Sequence, residues 1–189
     1  MKKTAGNAPL FQRQLPIERM INMKKSALPL GLYIHVPFCR QKCLYCDFYS
    51  LPCGENRMDE YTRAVAAHLK EIAPRAAAYT VDSVYFGGGT PSYLGVKHLK
   101  TILSAAEKHY ALSRNAEITL EANPDSAGDW KALRALRRAG FNRISIGMQS
   151  AADNELRAIG RLHTFAQVQS AVEAARKAKL KNVSLDLIY

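Results

Sequence analysis

The chain has 189 residues, 48% hydrophobic and 23% charged, the balance of one soluble globular domain with its own core. Its apolar runs fall short of the roughly 18 residues that a membrane-spanning helix needs. The basic start MKKTAGNAPLFQRQLPIERMINMKK lacks the apolar stretch of a secretory signal, so the expected location is the cytoplasm. The net charge of +11 raises the question of nucleic acid. However, Arg134, Arg137 and Arg138 share helical spacing with Leu133 and Leu136, and Lys177, Lys179 and Lys181 follow a similar stretch. Solvated helix faces are the reading, and no nucleic-acid partner is expected.

In chain order, Met23 restarts an orderly sequence, MKKSALPLGLYIHV, so residues 1–22 read as an N-terminal extension and residues 23–189 as the core domain. Strands are predicted at Leu32–Pro37, Ser83–Gly87, Glu117–Glu121, Arg143–Gly147 and Val183–Tyr189. Helical patterns separate them: DEYTRAVAAHLKEIA, HLKTILSAAEKHY, DWKALRALRRAG and FAQVQSAVEAARKA. Gly140 stands where a helix should end, and Thr164 where the next should be capped. This alternation predicts an α/β protein of parallel units.

Parity within the strands says more. Leu32, Ile34 and Val36 oppose Tyr33 and His35; Ile118 and Leu120 oppose Thr119 and Glu121. Ile144 and Ile146 oppose Ser145, Gly147 and Gln149, and Val183, Leu185 and Leu187 oppose Ser184 and Asp186. A parallel sheet covered on both faces would be apolar throughout. One polar face therefore predicts a barrel or half-barrel with helices outside. Tyr33, His35, Glu121, Gln149 and Asp186 then point inward, several near the strand ends where such barrels place their chemistry. The last predicted element is a strand with no helix after it, so the expectation is an incomplete barrel, a fragment.

Between the first strand and the first helix lies PFCRQKCLYCDFYS, with Cys39, Cys43 and Cys46 in the spacing C-x3-C-x2-C. Structural zinc sites use two pairs of ligands. Three thiolates on a short loop instead suit an iron–sulfur cube with one iron left open; a zinc site completed by a distant histidine, or a merely buried trio, is the alternative. Cys53 reads as a spare thiol. Three successive glycines in Gly87-Gly88-Gly89-Thr90-Pro91 point to a backbone approach that side chains would block.

The spacing, with an aromatic residue, Tyr45, before the third cysteine, resembles the radical S-adenosylmethionine (SAM) enzymes. The string LYIHVPFCRQKCLYCDFYS, followed in order by GGGTP, EANP, NRISIGMQS, GRLH and DLIY, resembles the oxygen-independent coproporphyrinogen III oxidase family and its heme-chaperone branch. The resemblance implies a partial (β/α)6-type TIM-like barrel, truncated after about the fifth strand, without the family's C-terminal domain. It implies that Cys39, Cys43 and Cys46 bind a [4Fe-4S] cluster whose fourth iron takes SAM through its amino and carboxylate groups. Gly88, Gly89 and Thr90 would hold the methionine end of SAM. Tyr33, Tyr45, Glu121, Gln149, Arg161 and Asp186 correspond to further SAM contacts. One electron from the cluster would cleave the sulfonium bond to a 5′-deoxyadenosyl radical, in a barrel that orients the cofactor and excludes water.

One departure sorts the relatives. The oxidases carry C-x3-C-x2-C-x-C, whereas here Phe48 stands at the fourth cysteine position. The CDF pattern is that of the heme-chaperone branch, which implies heme as ligand and respiratory-chain hemoproteins as acceptors. It further implies an electron donor such as flavodoxin or ferredoxin, and peripheral membrane association through the acceptors. Coproporphyrinogen decarboxylation in porphyrin biosynthesis is the alternative. No C-x-x-C-H motif for covalent heme attachment is present.

Overall fold

The computed structural model describes residues 28–51 and 55–189. The expected extension over residues 1–22 and the spare thiol Cys53 lie outside them. The elements run β1 (Leu28–Val36), α1 (Glu55–Ile72), β2 (Tyr79–Gly88), α2 (Val96–His109), β3 (Leu112–Ala122) and α3 (Trp130–Arg138). Then follow β4 (Arg143–Gln149), a short α4 (Asp153–Ala158), α5 (Phe165–Lys177) and β5 (Asn182–Leu187).

Local chemistry sets several boundaries. The Asp129 side chain accepts from Lys131 N at the start of α3, and Thr164 forms a capping box with Gln167 at the start of α5. Gly140, just past α3, has φ +121°, a conformation that a side chain would resist.

The strands lie in the order β1-β2-β3-β4-β5, every neighbouring pair parallel. Right-handed crossovers between consecutive parallel strands put all the connecting helices on one side of the sheet. The core fills that side: Ile34, Val36, Val84, Phe86, Leu120, Ile144 and Ile146 pack against Leu99, Ile102, Leu103, Leu133, Leu136, Ala171 and Ala175. The Phe86 and Phe141 rings meet at 5.1 Å. The sheet is thus the half-barrel that the parity predicts, with the partial TIM-like form that the resemblance implies.

Register stacks the concave face in layers. Tyr33, Tyr85, Thr119 and Arg143 are successive partners, and so, one layer higher, are Glu121, Ser145 and Ser184. Gly147 pairs with Asp186 above them. Arg143 fills the lower end, donating to Thr119 Oγ1 at 3.4 Å and Ser184 Oγ at 3.2 Å, with Glu117 at 3.9 Å. The upper layers are left for a ligand.

Several expectations need adjustment: β1 starts at Leu28 and β2 at Tyr79, each four residues before the predicted start, and β5 ends at Leu187, two residues before the predicted Tyr189. β3 starts five residues before the predicted Glu117, since Leu112 already pairs with Val81. On β5, Leu185 and Leu187 are 42% and 62% exposed, because no described helix covers that part of the outer face.

Candidate functional site

The cysteine loop is closed at its neck by pairing of Phe38 with Leu51, where Leu51 N donates to Pro37 O at 2.7 Å and Cys39 N to Leu51 O at 3.2 Å. Phe38 is buried and packs edge-on against Tyr61 with centroids 5.1 Å apart. This buried anchor fixes the loop base at the C-terminal end of β1. Cys46 N closes a turn on Cys43 O, and Leu44 N donates to Ile159 O beyond α4, so the loop is tied at both ends of the barrel arc.

The glycine turn after β2 is pinned to the same loop. Gly89 N donates to Val36 O and Thr90 N to Phe38 O, each at 2.8 Å. A Cβ on Gly89 would stand 2.8 Å from Phe38 O and 3.0 Å from Cys39 Sγ. Gly88 has φ +112°, which turns its N–H toward Glu121 Oε2 at 3.1 Å. The run of glycines therefore does what the sequence predicts: it lets two backbones touch beside a thiol.

These constraints surround a cavity of about 560 Å³ at the strand ends. Cys39, Cys43, Cys46, Tyr45, Gly88, Gly89, Thr90, Glu121, Gln149, Arg161 and Asp186 all line it. Tyr33 does not; it stacks on Tyr85 at 6.0 Å, 59% exposed, and its hydroxyl meets His35 Nδ1 at 3.4 Å. His35 donates from Nε2 to Tyr49 O, so its ring is held between two tyrosines as a hydrogen-bonding group. Gln149 takes φ +67°, unusual for a side-chain-bearing residue, and Ile188 N donates to its carbonyl.

Opposite charges face each other across the cavity. The Glu121 carboxylate accepts from Tyr85 OH at 2.7 Å. Burial, and then that carboxylate, push the Tyr85 phenol far above the ordinary tyrosine value, so it remains a donor. Arg161 donates from Nη1 to Cys43 Sγ at 3.4 Å and Tyr45 OH at 3.5 Å, and from Nη2 to Asn123 Oδ1 and Gly147 O, both at 2.8 Å. Burial raises the Tyr45 phenol, Arg161 opposing and Cys43 adding to the shift. Burial lowers the neighbouring His163, whose Nε2 donates to Met148 O.

Several groups escaped the sequence reading. Asn123 sits in the quoted EANP motif, and its signal was position: the second residue past Glu121 on the same strand end. Tyr85 shares the inward parity of Tyr33's partner strand. Lys42 also lines the cavity, beside Phe48, the residue already singled out at the fourth cysteine position, which is 65% exposed at the rim.

The residues fit an iron–sulfur cube with an organic ligand. Among the described residues no three His, Cys, Asp or Glu side chains converge as a single metal ion needs. A cube, which takes each thiolate on a different iron, does not require that convergence. The three thiols are free and half-buried, and Gly89 leaves room beside Cys39. Arg161 Nε is buried with no partner among the described residues, an unmet donor at the cavity wall.

A parallel half-barrel with three thiols on the loop after β1 defines a class of cluster-binding α/β proteins. The chain belongs to the radical SAM superfamily, whose sequence profile matches residues 33–189. Membership implies a [4Fe-4S] cluster and SAM. The chain is 39% identical over 181 residues to the heme chaperone HemW of Mycobacterium tuberculosis, covering 94% of this chain and 46% of that one. With HemW of Escherichia coli it shares 40% identity over 164 residues, 85% of this chain and 43% of that one. The solved coproporphyrinogen III oxidase (HemN) of Escherichia coli, a radical SAM enzyme, superposes with a TM-score of 0.79 at 26% identity, over 92% of this chain and 40% of that chain. The chain thus spans less than half the length of the curated relatives it matches. Among the described residues, no helix is long and apolar enough to cross a membrane.

Proposed function

We propose that this chain, with residues 23–189 as its radical SAM core domain, is the cluster- and SAM-binding part of a heme chaperone. Cys39, Cys43 and Cys46 hold the [4Fe-4S] cluster. Gly88, Gly89 and Thr90 seat the methionine end of SAM, and Tyr33, Tyr45, Glu121, Gln149, Arg161 and Asp186 complete the contacts. Bound together, cluster and SAM supply one-electron reductive cleavage of a sulfonium. The chain's own part is positional: Glu121, locked by Tyr85 and Gly88, offers a fixed carboxylate to an ammonium, and Arg161 offers its free Nε–H to an anion. Tyr45 and Phe48 form an apolar rim that limits water.

Heme is the proposed cargo, carried in the cytoplasm to respiratory hemoproteins, with flavodoxin or ferredoxin as electron donor and membrane contact made through the acceptors. The observation that carries the reading is Phe48 at the cavity rim, where the oxidase pattern has a cysteine. The HemW relatives support it. The test uses intact protein, purified without oxygen and reconstituted with iron and sulfide. Heme titration followed by absorbance should show saturable binding. Incubation with SAM, reductant and coproporphyrinogen should yield no protoporphyrinogen. Product formation would replace the chaperone reading with oxygen-independent coproporphyrinogen III oxidase.

A further inference from the structure

Two cysteine sulfurs of the loop are joined by an unbroken chain of hydrogen bonds that does not pass through the loop itself. Cys39 Sγ lies 3.4 Å from Thr90 Oγ1, and Asn123 Nδ2 donates to that same Oγ1 at 3.2 Å. On its other side Asn123 Oδ1 accepts from Arg161 Nη2 at 2.8 Å, and Arg161 Nη1 reaches Cys43 Sγ at 3.4 Å. The middle of the chain is well held: Thr90 is 5% exposed, and Arg161 Nη2 also donates to Gly147 O at 2.8 Å.

With Cys39 as a thiolate, which can only accept, the chemistry of the members fixes the direction of every proton. A guanidinium has donors only, so the amide oxygen of Asn123 must face it and the amide nitrogen must face Thr90. Because Thr90 Oγ1 is occupied as an acceptor, its single hydroxyl proton is free to point at Cys39 Sγ. Both ends of the chain therefore present an N–H or O–H to sulfur. An amide does this because it is a donor on one edge and an acceptor on the other. A carboxylate, which only accepts, would draw the Thr90 proton toward itself and away from Cys39.

We propose that Asn123 is a positioning residue that aims one hydrogen bond at Cys39 Sγ and one at Cys43 Sγ, and so raises the reduction potential of the cluster those thiolates hold. The inference rests on the cluster reading above. Hydrogen bonds to ligand sulfur favour the reduced, more negative state, and their loss favours the oxidised one.

The test is a potentiometric titration of the reconstituted intact protein, read by electron paramagnetic resonance of the reduced cluster, with iron and sulfide content measured alongside. Wild type should have the highest midpoint, Asn123→Ala a more negative one, and Asn123→Asp the most negative, since it withdraws the Thr90 proton and adds charge. A merely structural role for Asn123 would lower stability and leave the midpoint of the assembled cluster unmoved; equal midpoints overturn the proposal. Wild type that takes up no iron would instead overturn the cluster reading itself. Should the Asn123 variants retain no iron, Thr90 decides: Thr90→Ser keeps the hydroxyl and should keep the wild-type midpoint, whereas Thr90→Val should shift it negative. Identical midpoints for that pair overturn the proposal.

Discussion

Replacing Gly89 with alanine tests whether the glycine turn and the cysteine loop form one unit. The added Cβ would lie 2.8 Å from Phe38 O and 3.0 Å from both Phe38 N and Cys39 Sγ. Two of those three atoms are backbone and cannot rotate away. The backbone is also pinned, by Gly89 N to Val36 O and Thr90 N to Phe38 O. Overpacking of this kind costs about 1–3 kcal/mol, and stretching two hydrogen bonds worth about 1 kcal/mol each places the cost near the middle of that range. A loss of about 2 kcal/mol is about 30-fold in the folding equilibrium. Denaturant unfolding of the apoprotein measures that loss, and iron per chain after anaerobic reconstitution measures the displacement of Cys39. Gly128→Ala is the control, since nothing lies within 4 Å of its Cβ, and it should behave as wild type in both assays. A Gly89→Ala protein with unchanged unfolding midpoint and full iron content would refute the coupling.

Cys39→Ser, Cys43→Ser and Cys46→Ser should each abolish stable iron uptake, measured by iron and sulfide content; a variant that keeps its cluster would remove that cysteine from the ligand set. Phe86→Ala, fully buried against Phe141, should cost about 3–5 kcal/mol in unfolding free energy. Burial holds His163 below its ordinary value, so the unfolded state binds its proton more readily. Its contribution is complete above about pH 6.5 and is lost as pH falls toward the folded value, so wild type should lose more stability on acidification than His163→Gln. At Gln149, Gly should be more stable than Ala by about 1 kcal/mol, reversing the usual strand order, because φ +67° penalises any side chain; paired unfolding curves of Gln149→Gly and Gln149→Ala decide it.

Strand parity was the most informative signal in the sequence. It placed Glu121 and Asp186 on the concave face, and the layers of the sheet bear this out. Parity works because side chains alternate with period two whatever the partner strand is. It says nothing of which residues meet across strands, and that is where the reading ran out. Tyr33 has the right parity but does not line the cavity, although Tyr85, its register partner on the neighbouring strand, does. Asn123 was overlooked because its role depends on Thr90 and Arg161, which come from other strand ends. Arg161, in the loop between α4 and α5, reaches Cys43 across 118 positions, a contact that only the tertiary fold can create. Helix α4 is short, with too few turns for its period to stand out.

The two faces of this sheet answer to different demands. On the convex face, Val36, Phe86, Leu120 and Ile144 are buried in an apolar layer whose contribution scales with area and tolerates volume-conserving change. On the concave face, burial of Thr119 and Ser145 is tolerated because each is paired, Thr119 with Arg143 and Ser145 with Ser184. Higher up the pairing fails: among the described residues Arg161 Nε lacks a partner, and Gln149 holds a strained backbone. Unmet donors and strain persist where surrounding structure over-determines them, and they collect at ligand sites. Their place beside three free thiols, above a layer in which Thr119 and Ser145 are paired, is the physical reason to put the chemistry at the strand ends and the stability below it.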